Sequence, residues 1–328
     1  MHSFLRVLKH LLFIAVCGLA AAKPAAAISC HLEVGGSQMV FNEISLLEPG
    51  VKTATATITY GCSGVSQGMD ALVCISVGAG PTGSYEQRYL QDDGTGKKLG
   101  FNLYKDASLA TIWGSVESGG SAGGAAFVLK KPGDGGVTAT VPIYGGISPA
   151  SQAGLPQGWY DTGYLGNWPI RIDYMEIGHK APASCAMPFT GNATSRFYIQ
   201  AHVANDCRID GTTPMDFGVV AGGATGPLDA QSTIRVTCNG TAYRVGLDNG
   251  MHAEGNKRRM KGPNGYVVYD LYRDASRSQR WGNNFWHDAV GGTGTGQAQS
   301  LTVYGLVPAQ NIGNSGSYSD TIVVTVDY

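Results

Sequence analysis

LYKDAS (Leu103–Ser108) and LYRDAS (Leu271–Ser276) are nearly the same six-residue word, spelled twice, 168 positions apart. Each is followed at the same distance by a Trp-Gly pair: Trp113 lies nine positions after Tyr104, and Trp281 nine after Tyr272. Working outward, Cys30 to Cys62 spans 32 positions and Cys207 to Cys238 spans 31. Arg88 in QRYL is answered by Arg259 in RRM, IYGG (143–146) by VYGL (303–306), and GWYDT (158–162) by GSYSDT (316–321). Words repeated in the same order along two halves of a chain mark a duplicated unit. The chain is one domain written twice.

Each copy reads as β. VKTATATITYGC (51–62) and TIRVTC (233–238) alternate small or polar residues with apolar ones, and FNLY, VVYDLY, LTVYG, IRIDY and TIVVTVDY are short and rich in Val, Ile, Tyr and Phe. Gly, Asn, Asp and Pro punctuate them. The 328 residues include 48 Gly and only 14% charged residues, which excludes helical bundles and coiled coils, while 43% apolar residues exclude wholesale disorder. Short strands with turns at this spacing suggest antiparallel sandwiches.

Residues 1–27 read as a signal peptide. Arg6, Lys9 and His10 precede an apolar run (Leu11–Ala22) that is too short for a membrane span, and Ala25–Ala27 offer a cleavage site. Without Arg6, Lys9 and Lys23 the mature chain holds 20 basic residues against 24 acidic ones, which leaves no basic patch for nucleic acid. Cys17 leaves with the signal. Six cysteines remain, namely Cys30, Cys62, Cys74, Cys185, Cys207 and Cys238; an even count in an exported chain reads as disulfides, with fifteen connectivities open. No zinc spacing occurs.

The words C…C, R-M, LY-x-DA, WG, VYG and Y-x-DT…VTVDY resemble the spore coat protein U domain, strongly over 207–328 and with insertions over 30–174. That family also builds the pilins of archaic chaperone–usher pili, and its two-domain members resemble pilus tip adhesins. The resemblance implies an all-β fold of two tandem immunoglobulin-like antiparallel sandwiches, the second lacking its final strand. It divides the chain into signal peptide (1–27), adhesin-like domain 1 (28–176), linker (177–194), a strand completing domain 1 (195–205) and pilin-like domain 2 (206–328). It implies no cofactor. The implied partners are a periplasmic pilus chaperone, an outer-membrane usher, an adjacent pilin donating a strand, and an abiotic or host surface on which biofilm forms. The chain would pass through the periplasm to the cell surface. A structural coat protein without adhesive role is the alternative.

In single-domain relatives the stretch before the first cysteine is the donated strand. Here Phe197, Ile199, Ala201 and Val203 alternate on one face of that stretch. The segment is expected to complete domain 1 from within, the alternative being a first strand of domain 2. Only Ile28 and Ser29 precede Cys30 in the mature chain, so the protein is expected to accept a strand at domain 2 and to occupy a terminal position. Repeat symmetry pairs Cys30 with Cys62 and Cys207 with Cys238, and leaves Cys74 for Cys185; closing a loop of about 30 residues contributes about 3–4 kcal/mol in the chain-entropy model.

Motifs suggesting chemistry lack their context. GAGPTG (78–83) is followed by SYEQRYL instead of a helix that could hold phosphate. GGSAG (119–123) places Ser121 in a Gly/Ala loop, not on a nucleophile elbow. Asp92-Asp93-Gly94 lacks the spacing of a calcium loop. Trp113, Trp281, Tyr104 and Tyr272 read as packing residues, and Arg88 and Arg259 as partners of Asp106 and Asp274 at the sandwich edge.

Function should sit where the copies differ. Domain 1 gains eight residues between Trp113 and Tyr144, two between Tyr144 and Tyr160, and four between Tyr160 and Tyr174. The additions bring Ala125, Ala126, Phe127, Val128, Leu129, Leu155, Trp159, Tyr164, Leu165 and Trp168. Such residues either point inward or form exposed apolar fingertips that grip a surface. Phe127, Val128, Leu129, Leu155, Trp159, Tyr164, Leu165 and Trp168 are the surface-binding candidates.

Overall fold

The computed structural model describes residues 27–35, 38–80, 83–116, 123–130, 136–149, 151–163, 168–186, 188–221, 223–263, 265–313 and 315–328. They form twenty-one strands and no α-helix. Domain 1 holds β1 (Ser29–Val34), β2 (Gln38–Ile44), β3 (Lys52–Ser63), β4 (Met69–Val77), β5 (Arg88–Gln91), β6 (Lys98–Tyr104), β7 (Ala125–Leu129), β8 (Val137–Ile147), β9 (Gly158–Asp161), β10 (Trp168–Gly178) and β11 (Gly191–Val203). Domain 2 holds β12 (Cys207–Thr212), β13 (Gly223–Thr225), β14 (Leu228–Cys238), β15 (Ala242–Leu247), β16 (Arg258–Gly262), β17 (Gly265–Tyr272), β18 (Val290–Thr293), β19 (Ala298–Val307), β20 (Gln310–Ile312) and β21 (Val324–Asp327).

In domain 1 the strands join in one continuous order, β1-β3-β8-β6-β5-β9-β11-β10-β4-β7, with β2 added alongside β11. Pairing is antiparallel except between β2 and β11, which run parallel. The inward residues of this folded sheet form one core, from Cys30 to Val203, and a second core begins at Cys207. Domain 2 repeats the order in two pieces, β12-β14-β19-β17-β16 and β18-β15-β21, with β13-β20 as a small separate ribbon. Three disulfides close the framework: Cys30–Cys62, Cys74–Cys185 and Cys207–Cys238. The first and third pair directly opposed residues of β1/β3 and β12/β14. The second ties the segment between β10 and β11 to β4, over a small cluster of Leu72, Ile177, Met175, Val128 and Phe189.

The repeated words are explained by one buried network in each domain. Arg88 and Arg258 are fully buried, so the counterpart of Arg88 is Arg258, not Arg259. Arg88 donates to the carbonyls of Gly78 (2.9 Å), Val77 (3.2 Å) and Trp113 (2.6 Å), and to Asn102. Arg258 donates to the carbonyls of Asp248 (2.8 Å), Leu247 (2.9 Å) and Trp281 (2.8 Å), and to the Asp270 carboxylate (2.7 Å). Burial pulls the Arg88 guanidinium down to about 10, still charged at neutral pH. Trp113 and Trp281 each donate their indole N–H to the strand across the core, at Ile75 and Val245. Asp106 and Asp274 take no part. Each turns back on its own loop, accepting Ser108 and the Ala110 and Thr111 amides in one copy, and Ser276 and the Ser278 and Gln279 amides in the other. These bonds hold both carboxyls well below the usual range, Ser108 and Ser276 contributing most. They also hold Leu109 and Arg277 in the left-handed region, at φ 57° and 54°. The exposed Asp and the buried Arg are therefore separate devices, one a turn and the other a core strut.

Only Ala204, Asn205 and Asp206 separate β11 from β12, and both domains grip them. The Ala204 amide donates to Ile44 of domain 1 (3.0 Å), while Asn239 of domain 2, fully buried, donates to the Ala204 carbonyl (2.8 Å) and accepts the Asp206 amide (3.3 Å). Ser45 bonds Asp206, and the Gly240 amide donates to Leu155 (3.0 Å). A Cβ at Gly240 would collide with the backbone of residues 154–156.

Arg88→Met should lower the unfolding free energy of domain 1 by about 3–5 kcal/mol, since it strands several buried acceptors. Urea denaturation measures this, and a loss under about 1 kcal/mol would show that the strut is dispensable.

Candidate functional site

The two domains differ most where β11 lies. In domain 1, β11 pairs with β10 through residues 191–197 and with β9 through 200–203, with β2 along its other edge, which opposes Phe197 to Trp168, Ala201 to Tyr160, and Ile199 to Met39 of β2. Phe197, Ile199, Ala201 and Val203 are all fully buried within the domain 1 core. The strand thus belongs to the sheet of domain 1. It starts at Gly191, four residues earlier than the alternation suggested, because Gly191 already pairs with Tyr174 of β10.

In domain 2 the sheet order breaks at the same place. The five-stranded piece ends at β16, the counterpart of β5, and the three-stranded piece ends at β21, the counterpart of β10. Between them runs an apolar groove of about 430 Å³ lined by Met215, Phe217, Leu247, Tyr318, Ile322 and Val324 among others. Met39, Phe41, Tyr160, Ile170 and Ile172, under β11, are buried to 1% exposure or less. Their counterparts Met215, Phe217, Tyr318, Val324 and Val326 are only half-buried. In both copies the Met and Phe side chains lie directly against a glycine, Gly145 or Gly305, whose replacement would close the floor of the site. Beside Met215 and Phe217 the chain forms no ladder, whereas Gln38–Ile44 is a regular strand with β11 as partner.

A buried carboxylate stands in the groove wall. The Asp320 side chain is 2% exposed; its Oδ1 accepts from the His252 amide (3.2 Å) and faces His252 Nδ1 (3.0 Å), and its Oδ2 accepts from the Tyr269 hydroxyl (2.8 Å). Burial, followed by the bond to Asp320, pushes the Tyr269 phenol up. Strand register equates Asp320 with Thr162, because Asp161 faces Gln91 of β5 and Ser319 faces Lys261 of β16. Thr162 is fully buried beneath β11, its Oγ1 accepting the Ile199 amide (3.1 Å) and its amide donating to the Ile199 carbonyl (3.0 Å).

The surface-binding candidates scatter. Phe127, Val128 and Leu129 are not loop fingertips but part of β7, paired with Val73, Leu72 and Ala71 of β4. The Phe127 ring packs on Tyr60 (5.3 Å) and Trp113 (6.4 Å), Leu129 is 5% exposed in the core, and Val128 packs on the Cys74–Cys185 cluster. The reason lies across the ladder: at the same pair domain 2 has Tyr243 and Gly292, and the Tyr243 ring covers Gly292. Domain 1 reverses the sizes, with Val73 opposite Phe127. Leu155 is half-buried at the domain joint, where its carbonyl accepts the Gly240 amide. Trp159 is 51% exposed and stacks on His202 (4.7 Å), also near the joint, since its neighbour Gly158 pairs with Val203. Tyr164 and Leu165 lie outside the described residues, as does Ser121; Trp168 opens β10 opposite Phe197. Among the described residues no three His, Cys, Asp or Glu side chains gather as metal ligands.

With this geometry in hand, comparison with known families is decisive. The Spore Coat Protein U domain matches residues 17–162 and again 193–325. The chain belongs to that family. The second match begins inside β11, so β11 counts with the second copy in sequence and with the first in space. Among solved structures, the chain is similar to one titled as a CsuC–CsuE chaperone–tip adhesion subunit pre-assembly complex from archaic chaperone-usher Csu pili of Acinetobacter baumannii. The identity is 20% with TM-score 0.52, over 92% of this chain and 100% of that one. The CupB6 tip adhesin of Pseudomonas aeruginosa aligns at 11% identity and TM-score 0.42, over 92% and 94%. No curated protein matches the sequence. The first likeness shows a shared all-β fold.

The groove floor was missed in the sequence, although it has a signal. Met-x-Phe follows the first cysteine of each copy, as Met39-Val40-Phe41 and Met215-Asp216-Phe217, at nearly the same distance. The exchange of sizes across β4/β7 gives a test. Val73→Tyr and Phe127→Gly should each destabilise domain 1, and the double variant should recover more than about 1 kcal/mol of the summed loss, read by a denaturation cycle. Additive losses would show that the rings do not share one site.

Proposed function

We propose that this protein is the tip subunit of an archaic chaperone–usher pilus, mediating attachment to surfaces and biofilm formation, and joined to the shaft by a strand that a neighbouring subunit inserts into domain 2. One observation carries this reading: the strand position that β11 fills in domain 1 is an open apolar groove in domain 2. An extended segment entering there would place about four apolar side chains, burying roughly 6–12 kcal/mol gross at about 1.5–3 each, and would complete main-chain hydrogen bonds by β-augmentation. β11, the stretch that relatives would donate, is used within the chain, which supports a terminal position. The Csu structure, titled as a chaperone–tip adhesion subunit complex, supports a periplasmic chaperone as the first occupant of the groove, before an outer-membrane usher exchanges it for an adjacent pilin. The route is export through the periplasm to the cell surface, with no enzymatic step, no cofactor and no nucleic acid.

Adhesion would belong to domain 1. With Phe127 and Leu129 packed inside and Leu155 at the joint, the attachment proposal rests on Tyr164, Leu165 and Trp168, and on Trp159, which is exposed. The packing of Phe127 and Leu129 favours a second reading, a structural coat protein whose domains assemble without gripping a surface. Replacing Tyr164, Leu165 and Trp159 by Ser separates the two: attachment of whole cells to an abiotic surface should fall while the unfolding midpoint stays put. Unchanged attachment leaves the coat reading.

The groove is tested by division of the chain. Residues 28–205 should fold as a soluble monomer, and truncation at Tyr174 should abolish this. Residues 205–328 should aggregate alone and form a stoichiometric complex when co-expressed with the cognate chaperone. A stable monomer of 205–328 would refute the acceptor reading.

A further inference from the structure

The two copies allow the register of the incoming strand to be read, resting on the acceptor reading above. We infer that the domain 2 groove seats its strand in the register of β11, with Asp320 receiving the main-chain N–H of the second inward residue and the Phe217–Tyr318 pair admitting only a small third one.

The register transfers position by position. β11 presents Phe197, Ile199, Ala201 and Val203 inward. Phe197 lies opposite Trp168, whose counterpart is Ile322, because Ile170 and Val324 face equivalent residues of β4 and β15, Val77 and Leu247. Ile199 lies opposite Met39, replaced by Met215. Ala201 lies between Phe41 of β2 and Tyr160 of β9, and both walls remain large in domain 2, as Phe217 and Tyr318. Two aromatic walls across one strand leave space for a methyl group and little more, because packed interiors do not yield to added methylenes without strain. Val203 lies opposite Gly158, and Gly316 stands in the corresponding place.

The polar contact transfers with a change of chemistry. In domain 1, Thr162 Oγ1 accepts the Ile199 amide. Domain 2 puts a carboxylate there, anchored from behind by His252 and Tyr269. Tyr269 occupies one acceptor site of Oδ2, and a carboxylate oxygen offers two. The remaining one can take a strand N–H, and a charge-assisted bond is stronger than the hydroxyl's. A strand slipped by two residues would bring a different side chain between the aromatic walls, and a slip by one would turn its apolar face to solvent.

The test uses the mature chain, residues 28–328, extended by a Gly/Ser linker as long as residues 175–190 and a copy of residues 191–203. That linker length reproduces the turn by which β11 folds back along β10. Against the unextended chain, the copy should raise the urea midpoint of domain 2. Changing the Ala of the copy that corresponds to Ala201 to Leu should abolish the gain, while changing its Ile to Leu should keep it. In the body of the protein, Asp320→Thr should keep the gain, and Asp320→Val, of the same shape without an acceptor, should cut it about tenfold in the closed-to-open ratio, each compared with the same variant lacking the extension. Equal gains for the Ala and Leu copies, or for the Thr and Val variants, would overturn the register while leaving the groove intact. No gain from any copy would overturn the groove itself, and the register with it.

Discussion

A β-strand with one unpaired edge and one bare apolar face must find a partner, and this need organises both halves of the molecule. In domain 1 it is met by β11, which bonds β10 and β9 on one side and β2 on the other while its four inward side chains vanish into the core. Everything nearby is regular because of it: β2 is a strand, Met39 and Phe41 are covered, and the sheet is unbroken from β1 to β7. In domain 2 the same residue types stand without that strand, and regularity is lost at the same places. The sheet splits, Met215 and Phe217 stay half-exposed, and the chain around them forms no ladder. Two copies of one design, differing most at one strand, show by comparison what that strand does.

The buried arginines show the opposite strategy, in which a domain supplies its own fastening. Arg88 and Arg258 each tie their own strand to two other segments through main-chain carbonyls, at the level of the core tryptophan. Domain 2 gives its arginine a carboxylate, Asp270, which also binds Arg280 at 2.9 Å; domain 1 uses the neutral Asn102. A charge with only neutral partners is costly to bury, and domain 1, with its own strand in place, carries the more complete core.

Much of this was legible in the sequence. The duplication, the all-β class and the special status of Phe197–Val203 follow from repeated words and period-two alternation, which reflect backbone geometry directly. The register of Arg258 was not legible, because adjacent arginines in RRM are interchangeable on paper and only the pleat decides which one faces inward. The choice between an inward and an exposed Phe127 was not legible for a similar reason: its partner is Val73, more than fifty residues away, and volume compensation between distant strands leaves no local pattern. The polar wall at Asp320 was missed because YDT and YSDT align equally well with either residue over Thr162, and only the strand pairing chooses.

The three-residue joint has a mechanical consequence. β11 runs into β12 with almost no slack, and Asn239 and Ile44 clamp the short crossing from both sides. A force that draws the two domains apart is therefore delivered along the axis of β11. Its ladder bonds to β2, β9 and β10 are then loaded in shear, all together, instead of being peeled one by one. The resistance of the tether is set by the rate of forced unfolding and not by equilibrium stability. Upstream of that strand, the Cys74–Cys185 bond fastens its leading segment covalently to β4, so a strand dragged from its slot remains on a leash and can return.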